Sequence, residues 1–290
     1  ELLTSAALTG ATAVFTLTPE QLASGALLLY LTSTDEVSGL RPTPFELRVV
    51  EDQVPKVKAS LSGIGQMVLS RARVPLQVEA SDDYGLTALI VDYGYQSPTG
   101  EKPGDGQMPI TDFKRESDAV WQAQPAIELT PWTLAPETTI TLRVRARDAM
   151  PGDERYGVSA SATLRVVTEE DLRADFQRRE QGLRVYFDAA LSQQRGMLDE
   201  SRLMASSAVR LKPEVAAARQ LQLEKNQHRQ VRAMDRLLND YTQLRDELVN
   251  NQLEPEPSAM RERFEAGIIT PLTDLRDQLL PAAVAAISQA

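Results

Sequence analysis

The sequence predicts a multidomain protein in which an all-β part, built from β-sandwich repeats, is followed by an all-α part, an antiparallel helical bundle. Three observations predict this class. Apolar and polar residues alternate through much of the first 167 residues, which is the pattern of half-buried strands. From Thr168 onward, apolar residues recur at helical spacing. A segment near the start of the chain is also repeated later in the all-β part.

The alternation is clearest in two segments of the all-β part. Their apolar members are Val74, Leu76, Val78 and Ala80 in the first segment and Ile140, Leu142, Val144 and Ala146 in the second. Successive side chains of a strand point to opposite faces of the sheet, so each segment predicts an antiparallel strand with one buried face.

The internal repeat relates FTLTPEQLASGALLLYLTSTDEVSG, residues 15–39, to IELTPWTLAPETTITLRVRARDAMPG, residues 127–152, with one inserted residue. The match resumes at LRVV, where residue 47 corresponds to residue 164. The offset between matching residues runs from 112 to 117, which is too long for a solenoid repeat. It suits a β-sandwich of the immunoglobulin class, which has about 100 residues.

The repeat and the change of period together predict three domains. Residues 55–167 are expected to form one complete immunoglobulin-like sandwich, and residues 1–54 the C-terminal part of a preceding one. The earlier strands of that first sandwich are expected to belong to a longer parent protein, because the chain opens within sequence that reads as structured. Residues 168–290 are expected to form an antiparallel helical hairpin or three-helix coiled coil.

Local signals place the ends of the three helices. Thr168 and Asp171 have the spacing of a capping box, so the first helix is expected to begin there. Pro213 suits the first turn of a second helix. The two prolines within residues 254–257 are expected to end that helix, and Pro271 is expected to kink the third.

Composition excludes several functional classes. The net charge of −10 argues against a nucleic-acid-binding surface, which requires concentrated basic residues. The absence of cysteine excludes disulfides, thiolate catalysis and cysteine-bound zinc. His228 is the single histidine and has polar neighbours, so it is expected to be a solvent-facing or interhelix residue. We therefore expect neither an enzyme nor a cofactor. The sequence also lacks an apolar run long enough to span a membrane.

Three segments resemble bacterial immunoglobulin-like and cadherin-like repeats: FELRVVEDQVPKV, VPLQVEASDDYGLTALIVDYGY and LRVRARDAMPGDERYGVSASATLRVV. Two further segments resemble large bacterial envelope-anchored proteins of unknown function: TEEDLRADFQRREQGLRVYFDAALSQQR and FEAGIITPLTDLRDQLLPAA. In those proteins, transmembrane helices are followed by such sandwiches and then by long coiled-coil segments. The resemblance implies an extracytoplasmic, periplasmic location, a membrane-anchored parent protein and a non-enzymatic role.

One acidic segment raises the question of a metal site. Asp82 and Asp83 precede Tyr84 and Gly85, between two predicted strands. Aspartate and glycine at this spacing predict a turn, because aspartate bonds to nearby backbone amides and glycine tolerates positive φ. We predict no metal here. The alternative is a calcium site formed by Asp82 and Asp83 with Asp52 or Asp148, since calcium needs six or more oxygen ligands from converging loops.

Three apolar residues are candidate partner contacts. Trp132 corresponds to Glu20 in the repeat, so its position need not be buried, although packing at one end of the sandwich is equally compatible. Val284 and Ile287 lie in the small apolar tail 281–290, which suits packing against further helix or a partner chain. Aromatic residues make up 5% of the chain and are scattered along it, which disfavours a glycan-binding surface.

These features predict a non-enzymatic structural or protein-interaction scaffold of the bacterial cell envelope. The sandwiches are expected to act as a spacer, and the helices to associate with a protein partner or with each other. The alternative is an adhesive or ligand-binding immunoglobulin-like module that takes calcium or a glycan.

Overall fold

A computed structural model describes residues 7–9, 12–14, 25–30, 41–48, 52–98, 104–150, 154–207 and 212–289. The chain divides into two compact units, Glu1–Gln53 and Val54–Ala290. Within the second unit, we refer to residues 54–167 as the β region and to residues 168–289 as the helical region.

The described residues of the first unit form two antiparallel strand pairs. β1 (Ala7–Thr9) pairs with β2 (Thr12–Val14), and β3 (Gly25–Leu29) pairs with β4 (Thr43–Leu47). Leu27 lies opposite Phe45 in the second pair. Much of the repeated segment 15–39 lies outside the described residues.

The β region supplies the strands of two larger sheets. They are β5 (Lys56–Leu61), β6 (Met67–Val68), β7 (Arg73–Ser81), β8 (Leu86–Gln96), β9 (Gly104–Pro109), β10 (Lys114–Ser117), β11 (Val120–Ala123), β12 (Ala126–Glu128), β13 (Thr139–Asp148), β14 (Tyr156–Val158) and β15 (Ala162–Val166). In one sheet β7 is central, with β5 on one side and β11 and β12 on the other, and β10 pairs with β11. In the other sheet the order is β6-β15-β13-β8-β9, and β14 also pairs with β13.

The two sheets share one hydrophobic core. The apolar residues of β7 and β13 that the alternation assigned to one face are all buried: Val74, Leu76, Val78, Ala80, Ile140, Leu142, Val144 and Ala146. The predicted alternation is therefore confirmed for both strands. The repeat also has a structural counterpart, because β13 and β15 pair antiparallel, as β3 and β4 do.

The helical region contains two long helices and a third, interrupted helical run. These are α1 (Glu169–Ser207), α2 (Pro213–Asn250), α3 (Ala259–Phe264), a π-helical turn (Glu265–Ile269), α4 (Thr270–Asp274), a second π-helical turn (Leu275–Leu279) and α5 (Leu280–Gln289). The chain is thus a mixed β and α protein, with its strands before its helices. Among the described residues, no helix is long and apolar enough to cross a membrane.

The helix ends follow the local signals. Thr168 Oγ1 accepts a hydrogen bond from the backbone N–H of Asp171 at 3.1 Å and donates one to its carboxylate, so Thr168 caps the start of α1, as the capping-box spacing predicts. α2 begins at Pro213, as predicted. The third run continues in helical geometry through Pro271, so this proline does not end it, and the kink expected there stays a prediction.

A π-helical turn precedes each proline of the third run. Ahead of Pro271, the backbone N–H of Thr270 donates to the carbonyl of Glu265, five residues back instead of four. A proline removes an α-helical hydrogen bond, and its ring crowds the carbonyl four residues back. The wider turn fits this local geometry, and the same arrangement precedes Pro281.

Candidate functional site

Asp82 caps a turn, as the sequence predicts. Its Oδ2 accepts hydrogen bonds from the backbone N–H groups of Tyr84 at 3.0 Å and Gly85 at 2.8 Å. Gly85 has a φ of 125°, which L side chains rarely adopt. The turn therefore depends on both residues, and this accounts for one oxygen of the Asp82 carboxylate.

The other three candidate calcium ligands are Asp148, Asp83 and Asp52. Asp148 is buried, and its Oδ1 accepts a hydrogen bond from the backbone N–H of Met150 at 2.8 Å. Carboxylate oxygens of Asp82 and Asp83 lie within 4.8 Å of each other. Asp52 belongs to the first unit. Two neighbouring carboxylates supply fewer oxygens than calcium requires, so calcium binding remains the alternative rather than the preferred interpretation.

Trp132 belongs to an aromatic cluster that the spacing of the residues along the chain did not reveal. Its ring stacks on Tyr93, with centroids 4.5 Å apart, and on Tyr95, with centroids 5.6 Å apart. The two tyrosine rings lie over Gly106 and Gly104 of the neighbouring strand β9, where no Cβ occupies the space. The interpretation that aromatic residues are scattered is therefore wrong for these three. All three are half-buried against the core of the β region.

The two predicted contacts in the C-terminal tail lie on α5. Val284 and Ile287 are both half-buried. The carbonyl of Ile287 accepts a hydrogen bond from Nε2 of Gln220 at 2.7 Å. This bond holds the end of α5 against α2, so a neighbour within the same chain already covers part of this segment. Leu279, just before α5, remains 63% exposed.

The C-terminal end of α1 and the N-terminal end of α2, which lie away from the β region, expose large apolar side chains. Leu198 is 49% exposed and Leu203 is 64% exposed, whereas Met197 beside them is buried. Leu191 is also exposed. It lies seven residues from Leu198, so the two project within about 20° of each other around the helix axis. Leu191 and Leu198 thus form an apolar stripe along one side of α1, here called the distal stripe.

The near ends of the helices are joined to the β region by polar contacts. Oδ1 of Asn251 accepts a hydrogen bond from the backbone N–H of Leu69 at 2.9 Å, and Nδ2 of Asn250 donates to the carbonyl of Gly63 at 2.6 Å. Nη2 of Arg71 lies 2.8 Å from Oε2 of Glu169. We call this set of contacts the joint.

Sequence reasoning missed the joint. Its partners lie far apart along the chain, since 182 positions separate Leu69 from Asn251. The available signal was the pair Asn250-Asn251 at the end of α2, because asparagine side chains bond readily to nearby backbone groups.

Several arginine–carboxylate pairs stabilise the near half of the helical region. Arg263 of the third run places two guanidinium nitrogens 2.7 and 2.8 Å from the two carboxylate oxygens of Glu180 in α1. These hydrogen bonds lower the pKa of Glu180, and partial burial opposes them. Glu254 also has a lowered pKa, chiefly because it accepts a hydrogen bond from the hydroxyl of Ser258. Both carboxyl groups favour the charged form.

Comparison with known proteins adds little to this geometry. No family model matches the chain, and no curated protein matches it. Among solved structures, a similar one is the crystal structure of Spo0M, a sporulation control protein from Bacillus subtilis. It shares 11% identity over 40% of this chain and 50% of that chain, with a TM-score of 0.29. The chain thus spans half the length of that protein, and a likeness at this level supports no conclusion about fold or function.

Proposed function

We propose that the protein is a non-enzymatic scaffold of the bacterial cell envelope, located outside the cytoplasm. In this proposal the β region is an immunoglobulin-like sandwich that acts as a spacer. The helical region is a coiled-coil element that associates with other protein. The resemblance of the sequence to envelope-anchored proteins supports the location, and the two sheets around one core support the sandwich class.

The observation that carries the proposal is the uneven burial of the helices. Near the joint, the helices share one buried core that includes Phe176, Leu244 and Phe264. Farther along α1, Leu191 and Leu198 of the distal stripe stay exposed. An exposed apolar stripe beside a buried core is typical of a surface that another helix covers. We take a second copy of this chain as the occupant to test first.

Sedimentation velocity over a range of protein concentrations tests the association. We expect concentration-dependent dimers for the unchanged protein and monomers for the double variant Leu191→Glu/Leu198→Glu. The matched control is Val185→Glu/Leu203→Glu, which adds the same charge to exposed apolar residues of α1. Leu203 lies about 140° around the helix from Leu198, on another face. A monomer at every concentration would reject self-association, and equal effects of the two double variants would reject the distal stripe as its site.

The aromatic cluster favours glycan binding as a second candidate function. Stacked aromatic rings that remain partly accessible are suited to the apolar face of a sugar ring. Titration with a panel of neutral oligosaccharides, followed by tryptophan fluorescence, tests this candidate with Trp132→Ala as the comparison. A saturable change that disappears in this variant would favour glycan binding over a purely structural role for the cluster.

A further inference from the structure

Glu247 is a buried charged side chain at the place where the helices meet the β region. Glu247 of α2 is 1% exposed. Arg179 of α1 donates to it from both ends of its guanidinium group, at 2.7 Å to Oε2 and 2.9 Å to Oε1. Gln243 donates to Oε1 as well, at 3.0 Å. These contacts bind α1 and α2 to each other through one carboxylate.

The same carboxylate also faces the β region. A Cβ atom on Gly65 would lie 2.9 Å from Oε2 of Glu247, so the β-region backbone is pressed against this side chain. The carbonyl of Glu247 accepts a hydrogen bond at 3.0 Å from Nδ2 of Asn251, whose Oδ1 in turn accepts from the backbone N–H of Leu69. One turn of α2 is therefore in contact with α1 and with the β region.

We propose that Glu247 is the positioning residue of a rigid elbow, which fixes the direction in which the helices project from the β region. A bidentate arginine–carboxylate pair has a narrow angular preference. An apolar residue of similar size would fill the space without that preference, and it would avoid the desolvation of a buried charge. The paired charge thus supplies direction in addition to packing. This inference does not depend on association of the helices.

Electron spin resonance distance measurements test the elbow. Spin labels are attached at two introduced cysteines, Gln77→Cys in β7 and Ser192→Cys in α1, both at exposed sites. The chain has no cysteine of its own, so no other site is labelled. Ser192 lies 23 residues beyond Glu169, or about 35 Å along the helix, so a change of angle at the joint moves the label by a measurable distance. The samples are dilute, so that association of two copies does not contribute to the measured distances.

We expect one narrow distance distribution in the otherwise unchanged protein. Glu247→Gln keeps the shape of the side chain and removes its charge, and it should widen the distribution at least twofold. The control Asp240→Asn makes the same chemical change at an exposed position of the same helix and should leave the width unchanged. Circular dichroism, recorded at the same temperature, should show equal helix content in all three proteins.

Two further variants keep the test decisive. Arg179→Lys retains the charge but loses the two-pronged contact, so it should also widen the distribution if Glu247→Gln proves too unstable to measure. Gly65→Ala pushes on the carboxylate from the β region and should shift the mean distance. A broad distribution in the unchanged protein, or an unchanged width in both Glu247→Gln and Arg179→Lys, would overturn the proposal.

Discussion

The near and far halves of the helical region bury their apolar residues to very different extents. Near the joint, Leu244 is 1% exposed and packs in a core that also includes Leu69 of the β region. At the far end, Leu198 is 49% exposed on a helix of similar composition. The β region resembles the near half, since both sheets contribute to one closed core. The difference indicates that the chain completes its own structure around the joint and leaves one side of the far half of α1 uncovered.

The largest expected effect on the free energy of unfolding comes from a closely packed glycine of the β region. A Cβ atom on Gly157 would lie 1.7 Å from the carbonyl oxygen of Pro55, which is backbone and cannot rotate away. Gly157→Ala should therefore lower the free energy of unfolding by about 4 kcal/mol or prevent folding. The measurement is urea unfolding followed by circular dichroism.

Gly94→Ala is the matched control for that variant. Gly94 lies in β8 of the same sheet, but a Cβ atom there would meet its nearest neighbour at 4.0 Å. Its free energy of unfolding should stay within about 1 kcal/mol of the unchanged protein. Similar losses in the two variants would show that the close approach of Gly157 and Pro55 does not account for the loss of unfolding free energy in Gly157→Ala.

Truncating one leucine in each half of the helices tests the comparison directly. Leu244→Ala removes buried methyl groups near the joint and should cost about 3 kcal/mol of unfolding free energy. Leu198→Ala removes the same atoms at an exposed site and should cost less than about 1 kcal/mol. Both values come from urea unfolding at a concentration where sedimentation shows a monomer. Equal costs would mean that another segment of the same chain buries the distal stripe in solution.

The sequence predicts this molecule best where the signal is local. The alternation in β7 and β13, the capping box at Thr168 and the start of α2 at Pro213 each depend on residues within one element. A strand or helix expresses such patterns whatever it packs against, so they could be read directly.

The features that the sequence did not predict depend on contacts between distant segments. Nothing near Glu247 indicates that its carboxylate is buried, because that burial requires Arg179 from α1 and Gly65 from the β region. The aromatic cluster likewise combines Tyr93 with Trp132, which follows β12. The repeat showed that Trp132 aligns with Glu20 but not which residues would surround it.

The Glu180–Arg263 pair lies in the closely packed near half of the helical region, and its contribution to the free energy of unfolding should depend on pH. The pKa of Glu180 is lowered in the folded protein, chiefly by the hydrogen bonds from Arg263. A carboxyl group with a lowered folded pKa stabilises the protein above its unfolded pKa, about 4.3 for glutamate, and this stability is lost as the pH falls through the folded pKa. Glu180→Gln should therefore cost about 1 kcal/mol at pH 7, and the cost should shrink towards zero below about pH 4.

Urea unfolding at several pH values measures this change, with Glu262→Gln as the control at an exposed position of the third run, next to Arg263. The free energy of unfolding of the control should follow that of the unchanged protein over the whole pH range. If the cost of Glu180→Gln were the same at pH 3 and pH 7, the contact would owe its stability to packing of the arginine side chain rather than to the carboxylate charge.

The smallest expected effect is a gain in stability at the open end of α1. Gly196 lies within this helix, and a Cβ atom there would meet nothing within 4 Å. Glycine in a helix interior costs about 0.5–1 kcal/mol relative to alanine, because the unfolded chain has more backbone freedom to lose. Gly196→Ala should therefore raise the free energy of unfolding by that amount in urea unfolding of the monomer. Ala189, on the same helix, supplies the reverse control, since Ala189→Gly should lower it by a similar amount. A loss of stability in Gly196→Ala would mean that another segment of the chain approaches the backbone of α1 at this position.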